Sequence, residues 1–87
     1  MIDNAARIQT MQQRLTEAFA PDHLEILDDS DQHIGHAGAA NGAGHFTLII
    51  RAAHFTNKTR LQAHKMIYHV LADMMEHDIH ALQIKLI

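Results

Sequence analysis

The chain of 87 residues contains no cysteine, which excludes disulfides, a thiol nucleophile and a thiolate metal ligand supplied by this chain. It has no uninterrupted apolar stretch close to the roughly 20 residues of a membrane-spanning helix. Its first residues, Met1 to Asn4, lack the basic segment and apolar run of a signal peptide. The formal net charge of -3 argues against a nucleic-acid surface as the main feature of the fold. We therefore predict a soluble, cytoplasmic protein with no membrane partner.

The spacing of apolar residues predicts one domain built from two helices and three strands. The predicted elements are helices over 4–20 and 58–76 and strands over 23–29, 45–52 and 80–87, within a single domain of residues 1–87. Asp3 or Asn4 is the expected N-cap of the first helix, and Thr56 or Asn57 that of the second. The order α-β-β-α-β predicts an α+β fold: a two-layer sandwich with a three-stranded mixed sheet and two main helices on one face. The second and third strands are parallel if they are adjacent.

The segment between the first two strands is unusually rich in glycine. Residues 30–44 contain all four glycines of the chain, so ordering this backbone costs much conformational entropy. A loop of about fifteen residues favours a functional explanation over a simple connection. We expect residues 31–44 to be mobile in the free protein.

Among the nine histidines, two sites at boundaries of predicted elements suggest a function. His33 and His36 lie at the beginning of the glycine-rich loop, and His80 opens the last strand. Because His80 is two residues before Leu82, the alternation of the strand predicts that both lie on the face that packs on the core. Imidazole is the commonest metal-binding side chain, so these positions suggest half of a metal site. Two protein ligands do not complete a tetrahedral centre, and a partner would have to supply the rest. Taken alone, a histidine on an apolar strand face is more often structural than a ligand.

The remaining patterns favour structural roles and do not indicate an enzyme. His64 has helical spacing from Ile67 and Leu71, which predicts packing beside the core. The sequence has no nucleophile elbow, phosphate-binding loop or paired acid-base carboxylates. The acidic run 28–31 lacks the glycine and distal glutamate of a calcium-binding loop.

The residues resemble the BolA-like proteins, whose fold is related to the class II KH domain. The resemblance covers nearly the whole chain, and it depends on the order and spacing of several short matches. These matches are Ser30-Asp31-Gln32-His33, His45-Phe46, Phe55, Arg60-Leu61, His64-Lys65, Ile67-Tyr68 and Ile79-His80-Ala81-Leu82.

The resemblance implies a non-enzymatic partner of monothiol CGFS-type glutaredoxins. The two proteins form a heterodimer that holds a [2Fe-2S] cluster between them, together with glutathione. This complex takes part in iron-sulfur trafficking or iron sensing. The histidine that opens the last strand is one ligand, which matches His80. The second ligand comes from the loop, where His33 and His36 are available, and the spacing from Ser30 favours His33. We expect the free chain to be a monomer or a weak homodimer, without the cluster.

Some members of the family are described as DNA-binding transcriptional regulators that affect cell shape and stress response. The basic residues that could serve this alternative are Arg51, Lys58, Arg60 and Lys65. The chain departs from the family at the basic pair beside His64, where Ala63 replaces one arginine and Lys65 the other. It also lacks the GXXG loop between two helices with which ordinary KH domains clamp a nucleic-acid backbone. Both departures weaken the nucleic-acid alternative.

Overall fold

The computed structural model describes residues 3–30 and 43–87, and its elements follow the predicted order with one further helix. They are α1 (Asn4–Phe19), β1 (His23–Asp28), β2 (Gly44–Arg51), a 3-10 turn (Ala53–Phe55), α2 (Arg60–Val70), α3 (Ala72–His77) and β3 (Ile79–Leu86). The expected mobility of residues 31–44 concerns a segment that lies, apart from its last two residues, outside the described part of the chain.

The three strands form one sheet in the order β1-β2-β3. β1 pairs with β2 in antiparallel orientation, and β2 pairs with β3 in parallel orientation. The predicted three-stranded mixed sheet is therefore confirmed, and β2 is its central strand. Phe46, Leu48 and Ile50 alternate along one face of β2 and are almost fully buried, because the helices cover that face.

Helix α1 begins where the sequence allows its free amides to be capped. The side chain of Asp3 accepts a hydrogen bond from the Ala6 amide, and the helix ends at Phe19, followed by the C-cap Ala20, whose φ of 44° is left-handed. Pro21 follows and cannot continue the helix. Met11 and Leu15 on the inner face are fully buried, which is the physical reason that this helix packs on the sheet.

The predicted single helix over 58–76 is wrong in two respects. It begins later, because Thr59 forms a reciprocal capping box with Gln62, and neither Thr56 nor Asn57 is the N-cap. It is also interrupted at Leu71, whose backbone has a φ of -102° and a ψ of 15° and whose side chain is fully buried. The helical spacing continues across this break, so periodicity alone could not reveal it. None of the described helices is long and apolar enough to cross a membrane.

Candidate metal site at the start of the last strand

His80 lies in a bulge at the beginning of β3. Gly44 pairs with Ile79 and the next residue, His45, pairs with Ala81, so His80 has no partner across the ladder. The side chain of Ile79 is buried, whereas His80 is exposed. The prediction that His80 lies on the core face is therefore wrong. The extra residue in the bulge shifts the alternation of the strand, so that Ile79 and not His80 is buried.

Asp78 anchors the backbone immediately before this bulge. Its carbonyl oxygen accepts a hydrogen bond from the Gly44 amide at 2.9 Å. Its carboxylate accepts from Arg7 Nε of α1 at 3.2 Å, and the Arg7 side chain is only 10% exposed. A charge-assisted contact of this kind is stronger than a neutral one. The position from which His80 projects is thus tied both to β2 and to α1.

The imidazole of His80 contacts a second imidazole that the sequence analysis did not single out. The ring centroids of His45 and His80 lie 5.0 Å apart, with 52° between the ring planes. His45 is only 6% exposed. Sequence matching placed His45 only as part of the pair that opens the second strand. The signal that could have found it is the occurrence of a histidine near the start of each of two neighbouring parallel strands.

The beginning of the glycine-rich loop is held beside His45. The Ser30 hydroxyl accepts a hydrogen bond from the His45 amide at 3.0 Å and another from Asn4 Nδ2 at 2.9 Å. Burial raises the pKa of the Asp28 carboxyl, but hydrogen bonds from the Ser30 amide and from the side chains of Ser30 and Asn4 outweigh it and lower that pKa below its ordinary value of 3.8. The carboxylate therefore remains charged at neutral pH and fixes the point where the loop leaves β1.

The two candidate ligands from the loop, His33 and His36, lie outside the described residues. Within residues 3–30 and 43–87, no group of three or more histidine or carboxylate side chains is placed to hold a metal ion. Because the sequence also lacks cysteine, the described part of the chain offers His80 as an accessible imidazole but not a complete coordination set.

Two surface cavities flank the histidine pair. One, of about 390 Å³, is lined by Asp29, His45, Phe46, Ala81, Leu82 and Gln83. The other, of about 290 Å³, is lined by Ala43, Met75, Glu76, His77, Ile79 and His80. The buried His45 therefore borders the first cavity and the exposed His80 borders the second.

His64 takes the partly buried position that its helical spacing predicts. It is half-buried on α2. Its Nε2 atom is buried, with no hydrogen-bond partner among the described residues. The structure does not place it in the histidine pair of β2 and β3.

The four predicted nucleic-acid residues are all exposed. Arg51 and Lys58 line the same cavity of about 430 Å³, next to Phe55. Arg60 and Lys65 lie on exposed positions of α2. Within the part of the chain that the structure describes, none of the four makes an ion pair with a carboxylate.

Comparison with known proteins gives the family of this chain. The family model described as "BolA-like protein" matches residues 15–87. The chain is 34% identical to the DNA-binding transcriptional regulator BolA of Escherichia coli over 74 residues, which cover 85% of this chain and 68% of that protein. It is 32% identical to an uncharacterised protein of Sinorhizobium sp. over 79 residues, which cover 88% and 85% of the two chains.

Solved structures extend the similarity to the fold. The BolA domain of SufE1 from Arabidopsis thaliana superposes with a TM-score of 0.82 at 32% identity, covering 93% of this chain and 90% of that domain. BolA1 from Arabidopsis thaliana superposes with a TM-score of 0.80 at 31% identity, covering 99% and 93%. Sequence, element order and sheet topology agree, and the chain belongs to the BolA-like protein family.

Proposed function

We propose that this protein is a non-enzymatic partner of a monothiol CGFS-type glutaredoxin and shares a bridged [2Fe-2S] cluster with it through His80. The observation that carries this proposal is the exposed imidazole of His80. It projects from a bulge whose backbone is tied to β2 and, through Asp78, to α1. This is also the position at which the family resemblance expects a cluster ligand.

The chemistry of the donor set fits a shared cluster better than a self-contained one. Imidazole replaces thiolate on one iron of Rieske-type [2Fe-2S] centres, which shows that histidine is a competent ligand for this group. The protein has no thiolate to offer, so the partner would supply its cysteine and a glutathione thiolate. When bound, the cluster would supply the iron, sulfide and redox capacity of the complex, and this chain would contribute neutral nitrogen donors.

The second ligand that we propose is His33, with His36 as the competing candidate. The loop leaves β1 at Ser30, whose hydroxyl bonds the amide of His45, and the His45 ring contacts His80. Three residues of extended chain span about 10 Å, and six span about 20 Å. Doubling the tether from Ser30 adds about 0.6 kcal/mol of loop-closure entropy. The shorter tether favours His33.

A cluster with this ligand set suits a carrier or a sensor in the cytoplasm. Neutral imidazole places less negative charge on iron than thiolate does, which raises the reduction potential. Because ligands from two proteins and a glutathione are all needed, loss of any one component opens the site. We propose iron-sulfur trafficking or iron sensing as the role, and binding rather than catalysis as the activity.

Reconstitution of the mixed complex tests the proposal. The purified chain, a CGFS-type glutaredoxin, glutathione, iron and sulfide are combined anaerobically and separated by size-exclusion chromatography. We expect a heterodimer with visible absorption and circular dichroism that differ from those of the glutaredoxin alone. His80→Ala should abolish this difference, whereas His69→Ala, at an exposed position of α2, should retain it. A folded mixture that contains iron and sulfide but never yields the mixed spectrum would refute the proposal.

Single substitutions in the loop separate the two candidate ligands. We expect His33→Ala to change or abolish the mixed spectrum and His36→Ala to leave it nearly intact. The reverse result would assign the second ligand to His36.

A nucleic-acid-binding role is the second candidate, and one feature of the charge distribution favours it. Residues 32–72 contain no aspartate or glutamate, although the chain as a whole has a net charge of -3. All four predicted contact residues lie in this stretch and are exposed. Four phosphate contacts predict a slope of about -3.6 for the logarithm of duplex-DNA affinity against the logarithm of salt concentration. Tight, sequence-selective binding by the free chain at physiological salt would place this role above the first.

A further inference from the structure

The His45 imidazole is buried on the face of the central strand that also carries the buried Thr47. It lies near the start of β2, and on this strand Phe46 points to the helix-covered face. Both ring nitrogens of His45 are shielded from solvent. A ligand shared with a partner protein must present a nitrogen to that partner. The burial of this ring therefore argues against a ligand role for His45 and leaves its contact with His80 to be explained.

The backbone of His45 is fixed from two directions. Its amide donates to Ser30 Oγ at 3.0 Å, and its carbonyl oxygen accepts from the Asp29 amide at 2.8 Å. The preceding residue, Gly44, donates to Asp78 at the end of α3. These main-chain bonds fix the point from which the His45 side chain leaves the sheet, and the burial of the ring restricts its rotation.

The His80 side chain, unlike that of His45, is little restricted by its own strand. The bulge leaves it without a cross-strand partner, and it is exposed, so its own strand imposes little on the orientation of its ring. The only ring that the described structure places against it is that of His45, 5.0 Å away and tilted by 52°. This separation lies within the range of tilted aromatic pairs, which prefer defined relative orientations.

We propose that His45 is a positioning residue: its buried ring packs against the exposed His80 imidazole and selects the orientation in which His80 presents a nitrogen to the partner. For its effect on the cluster, the inference rests on the proposed function. The orientation of His80 itself is a property of the free chain. An aromatic ring of any chemistry at position 45 should support it, whereas a small side chain should not.

Nuclear magnetic resonance of the free chain provides the first test. In the wild-type protein we expect the His80 ring protons to be displaced by the ring current of His45 and its side-chain couplings to report one dominant rotamer. His45→Ala should remove the displacement and average the couplings, whereas His45→Phe should retain both. His69→Ala is the matched control, because it removes an exposed imidazole from α2. Unchanged His80 signals in folded His45→Ala would overturn the inference.

Cluster retention in the mixed complex provides the second test. Residues that orient metal ligands typically contribute 10–100-fold to metal affinity. We therefore expect His45→Ala to lose its cluster to a chelator about 10–100-fold faster than wild type, with His45→Phe close to wild type. If His45→Phe fails as badly as His45→Ala, a ring nitrogen of His45 is required and the packing role is overturned. If the wild-type complex forms no cluster, the proposed function fails, while the free-chain measurement still decides the positioning role.

Discussion

Substitution of Gly44 by alanine should destabilise the protein, although alanine is ordinarily the better strand residue. A Cβ at this position would lie 2.5 Å from Cζ of Phe46 and 2.8 Å from Oδ1 of Asn4. Phe46 is 2% exposed, and Asn4 is held by hydrogen bonds with Arg7 and Ser30, so neither can move away freely. Overpacking costs about 1–3 kcal/mol, and the strand preference of alanine over glycine returns about 0.5–1 kcal/mol. We expect a net loss of about 1–2 kcal/mol.

Urea denaturation followed by circular dichroism measures this loss, and a double-mutant cycle assigns its cause. At about 4–8 °C for each kcal/mol in a domain of this size, the melting temperature should fall by roughly 5–15 °C. Phe46→Leu removes the ring atoms that meet the new Cβ, so Gly44→Ala should cost less than half as much in that background. A rise in stability on Gly44→Ala, or an equal cost in both backgrounds, would refute the reasoning from close packing.

Four further outcomes are expected, each measured as a free energy of unfolding. Thr59→Ala removes the capping box and should cost about 1 kcal/mol, and no loss would contradict the cap. Asn57 has a φ of 69°, so Asn57→Ala should cost about 1 kcal/mol while Asn57→Gly costs less. Because the folded-state pKa of Asp28 is lowered, its contribution is complete above the ordinary value of 3.8 and is lost as the pH falls through the folded value. Asp28→Asn should therefore flatten the acid limb of a stability-pH profile, and an unchanged limb would contradict this. Leu15→Ala in the core should cost about 2–5 kcal/mol, whereas Leu61→Ala, at a position 64% exposed, should change stability by less than about 0.5 kcal/mol.

The elements of the fold could be predicted because their signals are local. The alternation of Phe46, Leu48 and Ile50 and the helical spacing of Met11 and Leu15 each lie within one element, and burial confirms both patterns. The order of the elements then restricts the topology, because a helical crossover between adjacent strands imposes a parallel pairing. The break at Leu71 was not predicted, because the helical spacing of apolar residues continues across it. The cap at Thr59 was not predicted, because several neighbouring polar residues are also suitable N-caps.

The candidate site could be predicted only in part. The family resemblance singled out His80, but it could not give its exposure, because a single extra residue in the ladder changes which of Ile79 and His80 is buried. His45 received no role, since its contact with His80 joins two strands that are far apart in the sequence. His33 and His36 remain predictions, because they lie outside the described residues.

The sequence by itself determined the class of fold, the absence of any thiolate ligand and the presence of a histidine at the opening of the last strand. These properties depend on composition and on spacing within single elements, which folding does not alter. Only the tertiary structure decided that β2 and β3 pair with a bulge, that His80 is exposed there, and that the buried His45 ring lies against it. Strand register is set by pairing between distant segments, and a shift of one residue changes the face on which every side chain lies.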